Sequence, residues 1–157
     1  MKNKFISLIG FLVLIAVVQI IGSYATFTSV QNWYPTLVKV SWNPPAWVFG
    51  PVWTALYIMI AVSGWRVWVS IGKNQFKNSA MHWYFFQLFI NLMWSILFFG
   101  LKNHVAGLLD IFILLVSIII TIRKFIRIDK LAAMLLVPYL LWVSYALTLN
   151  AGIVYLN

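Results

Sequence analysis

The sequence predicts an all-α integral membrane protein, a bundle of five transmembrane helices with the N-terminus inside and the C-terminus outside. Three observations lead there. First, 64% of the 157 residues are apolar, 18% are aromatic and only 8% are charged, far outside soluble usage. Second, five apolar segments, at about 5–27, 46–70, 80–100, 104–124 and 131–153, each approach the ~20 residues that a bilayer core requires. Lipid offers no partner to a free backbone N–H or C=O, so such segments must be helices. Third, the 11 Lys and Arg residues are segregated. Lys2, Lys4, Arg66, Lys73, Lys77, Arg123, Lys124, Arg127 and Lys130 fall at the N-terminus and in the 2–3 and 4–5 connections, leaving only Lys39 and Lys102 opposite. An excess of this kind marks the cytoplasmic side.

The totals also exclude several classes. The length suits a single domain spanning 1–157. The absence of cysteine removes disulfides, thiolate metal sites and cysteine nucleophiles. A formal net charge of +9 could suggest nucleic acid, but a basic patch needs a polar face, and here the charge reads as topology. The partner is the lipid membrane, not nucleic acid.

Taken in order, the first apolar run follows Lys2 and Lys4, is too long for a signal peptide and lacks an Ala-x-Ala-like cleavage site, so it is retained as a span. The connection at about 28–43 is the longest and carries Trp33, Tyr34, Pro35 and Trp42, which predicts a lid. Trp33, Tyr34 and Trp47 read as an outer interfacial belt, and Trp65, Trp68 and Trp83 as an inner one. Next comes Trp42-Asn43-Pro44-Pro45-Ala46-Trp47-Val48-Phe49-Gly50-Pro51-Val52-Trp53, where a proline-locked loop becomes a helix between rigid aromatic rings. Gly50-Pro51 predicts a bend one turn inside the second helix.

Helical spacing then groups residues on faces: Trp53, Tyr57, Ala61 and Gly64 on the second helix; Gln87, Asn91, Trp94 or Ser95, and Phe98 on the third; Trp142, Ala146 and Asn150 on the fifth. Polar groups in a membrane are costly and mark function, and most of these lie in the outer half. Ala61, Gly64, Ala146 and Gly152 read as packing notches. The indoles of Trp53 and Trp142 and the Asn91 carboxamide need partners; spacing leaves open whether they bond one another or a ligand. Pro138 frees the Met134 carbonyl and predicts a bend below Trp142. Asp110 is expected to make a structural bond to a neighbouring helix or the outer loop rather than to act in catalysis. His82 and His104 fall at opposite ends of the bundle, so no metal site is expected.

With these residues in view, the chain resembles the translocator protein family, also called tryptophan-rich sensory proteins or peripheral benzodiazepine receptors. The resemblance is carried by the 42–53 stretch with Leu56-Tyr57, by Gln87-Leu88, Asn91-Leu92 and Trp94-Ser95, by Asp110, and by Pro138-Tyr139-Leu140-Leu141-Trp142 with Ala146 and Leu149-Asn150. It implies a five-helix bundle, a homodimer, and a pocket under the first loop that binds tetrapyrroles such as protoporphyrin IX. Isoquinoline carboxamide and benzodiazepine ligands are implied for the same pocket. The resemblance carries the ligand role to Trp53, Asn91 and Trp142, with Ala146 lining the pocket, and the reading of the chain adds Pro44, Phe49, Tyr57, Trp94 and Ser95 as expected ligand-binding residues. Bacterial relatives are associated with light-dependent porphyrin breakdown, which makes Trp53 and Trp142 the candidate photo-oxidation residues. No cofactor is required, because the porphyrin is itself the photoactive ligand and substrate. The alternative reading is a transporter or sensor of the same compounds. Mitochondrial relatives end in a tyrosine-plus-arginine sterol motif, whereas residues 149–157 contain no basic residue, which favours a bacterial cytoplasmic membrane.

Overall fold

The computed structural model describes residues 2–70 and 76–157. Among them all regular structure is helical, and five helical segments are long and apolar enough to cross a membrane. Helix α1 runs Lys2–Asn32, and its 31 residues extend past the predicted limit of 27. The predicted 28–43 loop therefore begins at Trp33. The helix continues because Ser29, a polar residue that looked like loop, donates its hydroxyl to the Phe99 carbonyl at 2.6 Å and is buried.

A 3-10 turn at Tyr34–Thr36 and a second at Ala46–Val48 bracket the connection to α2, Phe49–Val69. Gly50-Pro51 does not lie one turn inside the second α-helix as expected. The α-helix starts only at Phe49, so Gly50 and Pro51 occupy its first turn, where the amide that proline lacks has no intrahelical acceptor.

Helix α3, Phe76–Ser95, begins earlier than the predicted residue 80 and passes into one wide π turn at Ile96–Gly100, closed by the Leu101 amide on the Ile96 carbonyl at 2.8 Å. The chain reverses through Lys102, which takes the left-handed conformation at φ 53°. Asn103 then caps α4, His104–Phe125, by accepting from the Ala106 amide at 2.9 Å. The fifth span is two helices, α5 at Lys130–Leu135 and α6 at Val137–Leu156. They meet at Leu136 because Pro138 cannot donate to the Met134 carbonyl, so the predicted bend is realised as a break.

Helix α4 packs between α3 and α6, and α1 lies against α2. Gly64 is a notch: a Cβ there would lie 2.3 Å from the Tyr84 ring. That ring stacks on Phe125 at 5.9 Å, and its hydroxyl donates to the Ile60 carbonyl at 3.1 Å. The helix ends rich in lysine and arginine come together at one end of the bundle. There the Trp65 indole donates to the Lys4 carbonyl, Lys124 donates to Ser79, and Arg66 pairs with Asp129 at 2.9 Å. Lys73, counted on this side, lies outside the described residues. The other end carries Lys39, Lys102 and the 33–45 loop.

Candidate functional site

Beneath the 33–45 loop lies a cavity of about 320 Å³, at the small end of the range for small-molecule sites. Helix α1 supplies Gln19, Gly22, Ser23 and Thr26, the loop supplies Tyr34, and the 3-10 turn after it supplies Ala46. Helix α2 contributes Phe49, Trp53 and Tyr57, while Asn91, Trp94 and Ser95 come from α3 and Phe98 and Phe99 from the π turn. Trp142, Ala146 and Asn150 of α6 complete the wall. The wide turn's consecutive rings, Phe98 and Phe99, both reach the cavity, as the consecutive pairs Gly22-Ser23 and Trp94-Ser95 do from α1 and α3.

The walls are aromatic and held ring against ring. Trp53 stacks on Tyr57 with centroids 5.3 Å apart and meets Tyr139 edge-on at 6.2 Å. Trp142 meets Phe49 edge-on at 5.9 Å, and Trp94 stacks on Phe98 at 5.2 Å. Below this layer the buried residues Ile60, Tyr84 and Leu136 form a packed core and close the cavity off from the basic end.

The polar groups divide into satisfied and free. Asn91 is clamped between two phenols: Tyr57 donates to its Oδ1 at 2.7 Å, and its Nδ2 donates to the Tyr139 hydroxyl at 3.0 Å. It therefore bonds neither Trp53 nor Trp142, which resolves one of the alternatives left open by spacing. Trp94 Nε1 donates to Asn150 Oδ1 at 3.2 Å, and Asn150 Nδ2 donates to the His104 carbonyl at 2.9 Å. Trp142 Nε1, in contrast, is buried and has no partner among the described residues. A buried indole N–H without an acceptor is an open binding position for one.

Of the expected ligand-binding residues only Pro44 lies outside the wall; its carbonyl accepts from Asn43 Nδ2 at 3.1 Å. Asn43 Oδ1 accepts in turn from the Tyr34 hydroxyl at 2.9 Å, so the proline's segment holds a wall residue in place. Burial raises the Tyr34 phenol above its usual range, with the Asn43 bond opposing and the nearby Tyr145 adding. Asp110 does not form its expected bond: Oδ2 is buried with no partner among the described residues. The loop is held by the last span instead. Tyr145 donates to the Trp42 carbonyl at 2.6 Å, and the Asn157 side chain accepts from the Val38 amide and donates to its carbonyl, both at 3.0 Å.

Residues 11–156 match the TspO/MBR family. The chain belongs to that family. It is 45% identical to the tryptophan-rich protein TspO of Chlorobaculum tepidum over 87% of this chain and 86% of the relative. Identity to the tryptophan-rich protein TspO of Archaeoglobus fulgidus is 40%, over 97% of each. Identity to the human translocator protein is 34%, over 83% of this chain and 78% of the relative. The five apolar helices and this membership make it a multi-pass membrane protein.

In this TspO/MBR protein the tryptophan-rich stretch divides its labour. Trp53 lines the cavity, whereas Trp42 and Trp47 are exposed. Sequence reasoning assigned Tyr34 to the interfacial belt, and it proves to be a cavity wall packed on Phe99 at 5.8 Å. It also missed Gln19, Ser23 and Thr26. Their signal was present: three polar residues spaced i, i+4 and i+7 in an otherwise apolar span form one face.

Proposed function

We propose that this TspO/MBR protein binds tetrapyrroles such as protoporphyrin IX in the cavity and promotes their light-dependent oxidative degradation. The observation that carries the proposal is the pair of indoles, Trp53 and Trp142, lining one cavity with flat aromatic walls. An excited porphyrin brings its own reactivity, so the protein's residues need only bind, orient and supply oxidisable groups. Tyr57 and Tyr139 hold Trp53 by ring contact, and Phe49 holds Trp142. Isoquinoline carboxamide and benzodiazepine ligands are proposed for the same space, with Trp142 Nε1 donating to a ligand carbonyl and the remaining Asn91 N–H as a second donor.

Transport or sensing of the same compounds is the second reading, favoured by the name of the human relative. The packed core of Ile60, Tyr84 and Leu136 beneath the cavity weighs against a passage. The protein is further proposed to be a homodimer in a bacterial cytoplasmic membrane, with the basic end inside. The test is the double variant Trp53→Phe, Trp142→Phe, compared with wild type for porphyrin binding by fluorescence quenching and for absorbance decay under illumination. Phe keeps the π-face, and the aromatic contact at stake is worth only ~0.5–1.5 kcal/mol, so binding should persist. Decay should slow markedly because the indole N–H is gone. Decay at the wild-type rate with binding intact would show the indoles to be walls alone.

A further inference from the structure

The cavity wall contains no Lys, Arg or His among the described residues. A tetrapyrrole with free carboxylates nevertheless carries negative charge that must be met or left in water. The chain has only two acidic residues, Asp110 and Asp129, and Asp129 is paired with Arg66 at the opposite end. No carboxylate lies within ion-pair distance of Lys39 among the described residues. The Lys39 ammonium lies 4.8 Å from the centroid of Tyr34, itself a cavity wall. It donates to the loop carbonyls of Leu37 at 2.9 Å and Pro35 at 3.5 Å.

Both neighbours of Lys39 are fastened to α6. Val38 exchanges two hydrogen bonds with the Asn157 side chain. Val40 sits in the notch at Gly152, where a Cβ would lie 2.3 Å from its Cγ1. A flexible loop would have to order itself to present a charge; here the backbone on either side is already fixed, so the ordering cost of placing the ammonium is reduced. The carbonyl bonds are exchangeable, since a lysine ammonium carries three donors on a rotatable stem.

We propose that Lys39 is the specificity-determining residue that recognises a ligand carboxylate at the rim of the cavity and so favours free-acid tetrapyrroles over their neutral esters. This rests on the tetrapyrrole reading above. The ammonium leaves the Leu37 and Pro35 carbonyls for the carboxylate of a macrocycle lying against Trp53 and Trp142, and the Tyr34 ring steadies the cation from below.

The test compares protoporphyrin IX with its dimethyl ester in nanodiscs of phosphatidylcholine alone, using wild type, Lys39→Gln and Lys39→Arg. A charge-assisted hydrogen bond lost on Lys39→Gln should weaken free-acid binding about three- to tenfold and leave ester binding unchanged, with Lys39→Arg restoring the preference. Equal loss for acid and ester would overturn the inference by showing that Lys39 only shapes the loop, and no loss for either would overturn it as well. A Lys39 effect that appears only when phosphatidylglycerol is added would assign its anion to a lipid headgroup and equally overturn it. Wild type that binds neither porphyrin sinks the proposed function and this inference together, whereas binding of both without dependence on Lys39 sinks this inference alone.

Discussion

Asp129 shows how much one side chain can do at the basic end. It accepts from the Ala132 amide at 3.0 Å as the cap of α5 and pairs with Arg66 at 2.9 Å, tying α2 to α5. Partial burial pushes its carboxyl up, but the Ala132 amide and the Arg66 hydrogen bond and charge prevail and hold it below the usual value. A carboxyl lowered in the folded state contributes stability that is fully present above the ordinary carboxylate value, about 3.9, and is lost as pH falls through the lowered one. Asp129→Asn retains an acceptor for the cap and removes the charge. It should cost about 1 kcal/mol at neutral pH, the upper end for a partly exposed pair. Thermal melts in detergent should show the deficit at pH 7 and see it shrink as pH is lowered below 4; no deficit at pH 7 would assign the role of Asp129 to capping alone. At the same scale Asn91 could be singled out as a candidate from its depth in the membrane. Its partners, the Tyr57 and Tyr139 hydroxyls, could not, because they come from two other helices.

Between elements, the relation that matters most to the cavity is that of the 33–45 loop to α6. Three contacts fasten it: Asn157 on Val38, Gly152 under Val40 and Tyr145 on the Trp42 carbonyl. Gly152→Val places methyl groups where Val40 now sits and should displace the loop without touching the cavity wall. Limited proteolysis within residues 33–45 is expected to accelerate several-fold in that variant, and a tight ligand to slow cleavage in wild type. Unchanged cleavage in the variant would mean the notch does not hold the loop, and cleavage indifferent to saturating ligand would mean the loop is no lid. Pro138 and the π turn at Ile96–Gly100 act at the same level. The proline breaks the fifth span below Trp142, and the wide turn presents Phe98 and Phe99 together. The first was readable from a single residue type; the second was not, since Ile96-Leu97-Phe98-Phe99-Gly100 is an ordinary helical sequence.

For the whole molecule the decisive asymmetry is electrostatic. The structure gathers Lys4, Arg66, Lys77, Arg123 and Lys124 at one end and leaves Lys39 and Lys102 at the other. If the basic end is cytoplasmic, a cysteine replacing Thr36, an exposed loop residue, should react with an impermeant maleimide on intact cells. Reaction only after permeabilisation would invert the protein and the side from which the cavity opens. By itself the sequence determined the membrane class, the five spans, the basic end and the end with few charges, and most of the aromatic wall. Those properties follow from composition, from run length against bilayer thickness and from 3.6-residue periodicity, all of which act locally along the chain. Only the tertiary structure decided that α1 and Tyr34 line the cavity, that Asn91 is clamped between two phenols while Trp142 Nε1 has no partner among the described residues, and that Lys39 lies beside Tyr34. Each of those outcomes depends on which faces meet and in what register. Val38 and Asn157, 119 residues apart, bond only because the chain has crossed the membrane between them and returned to the same end.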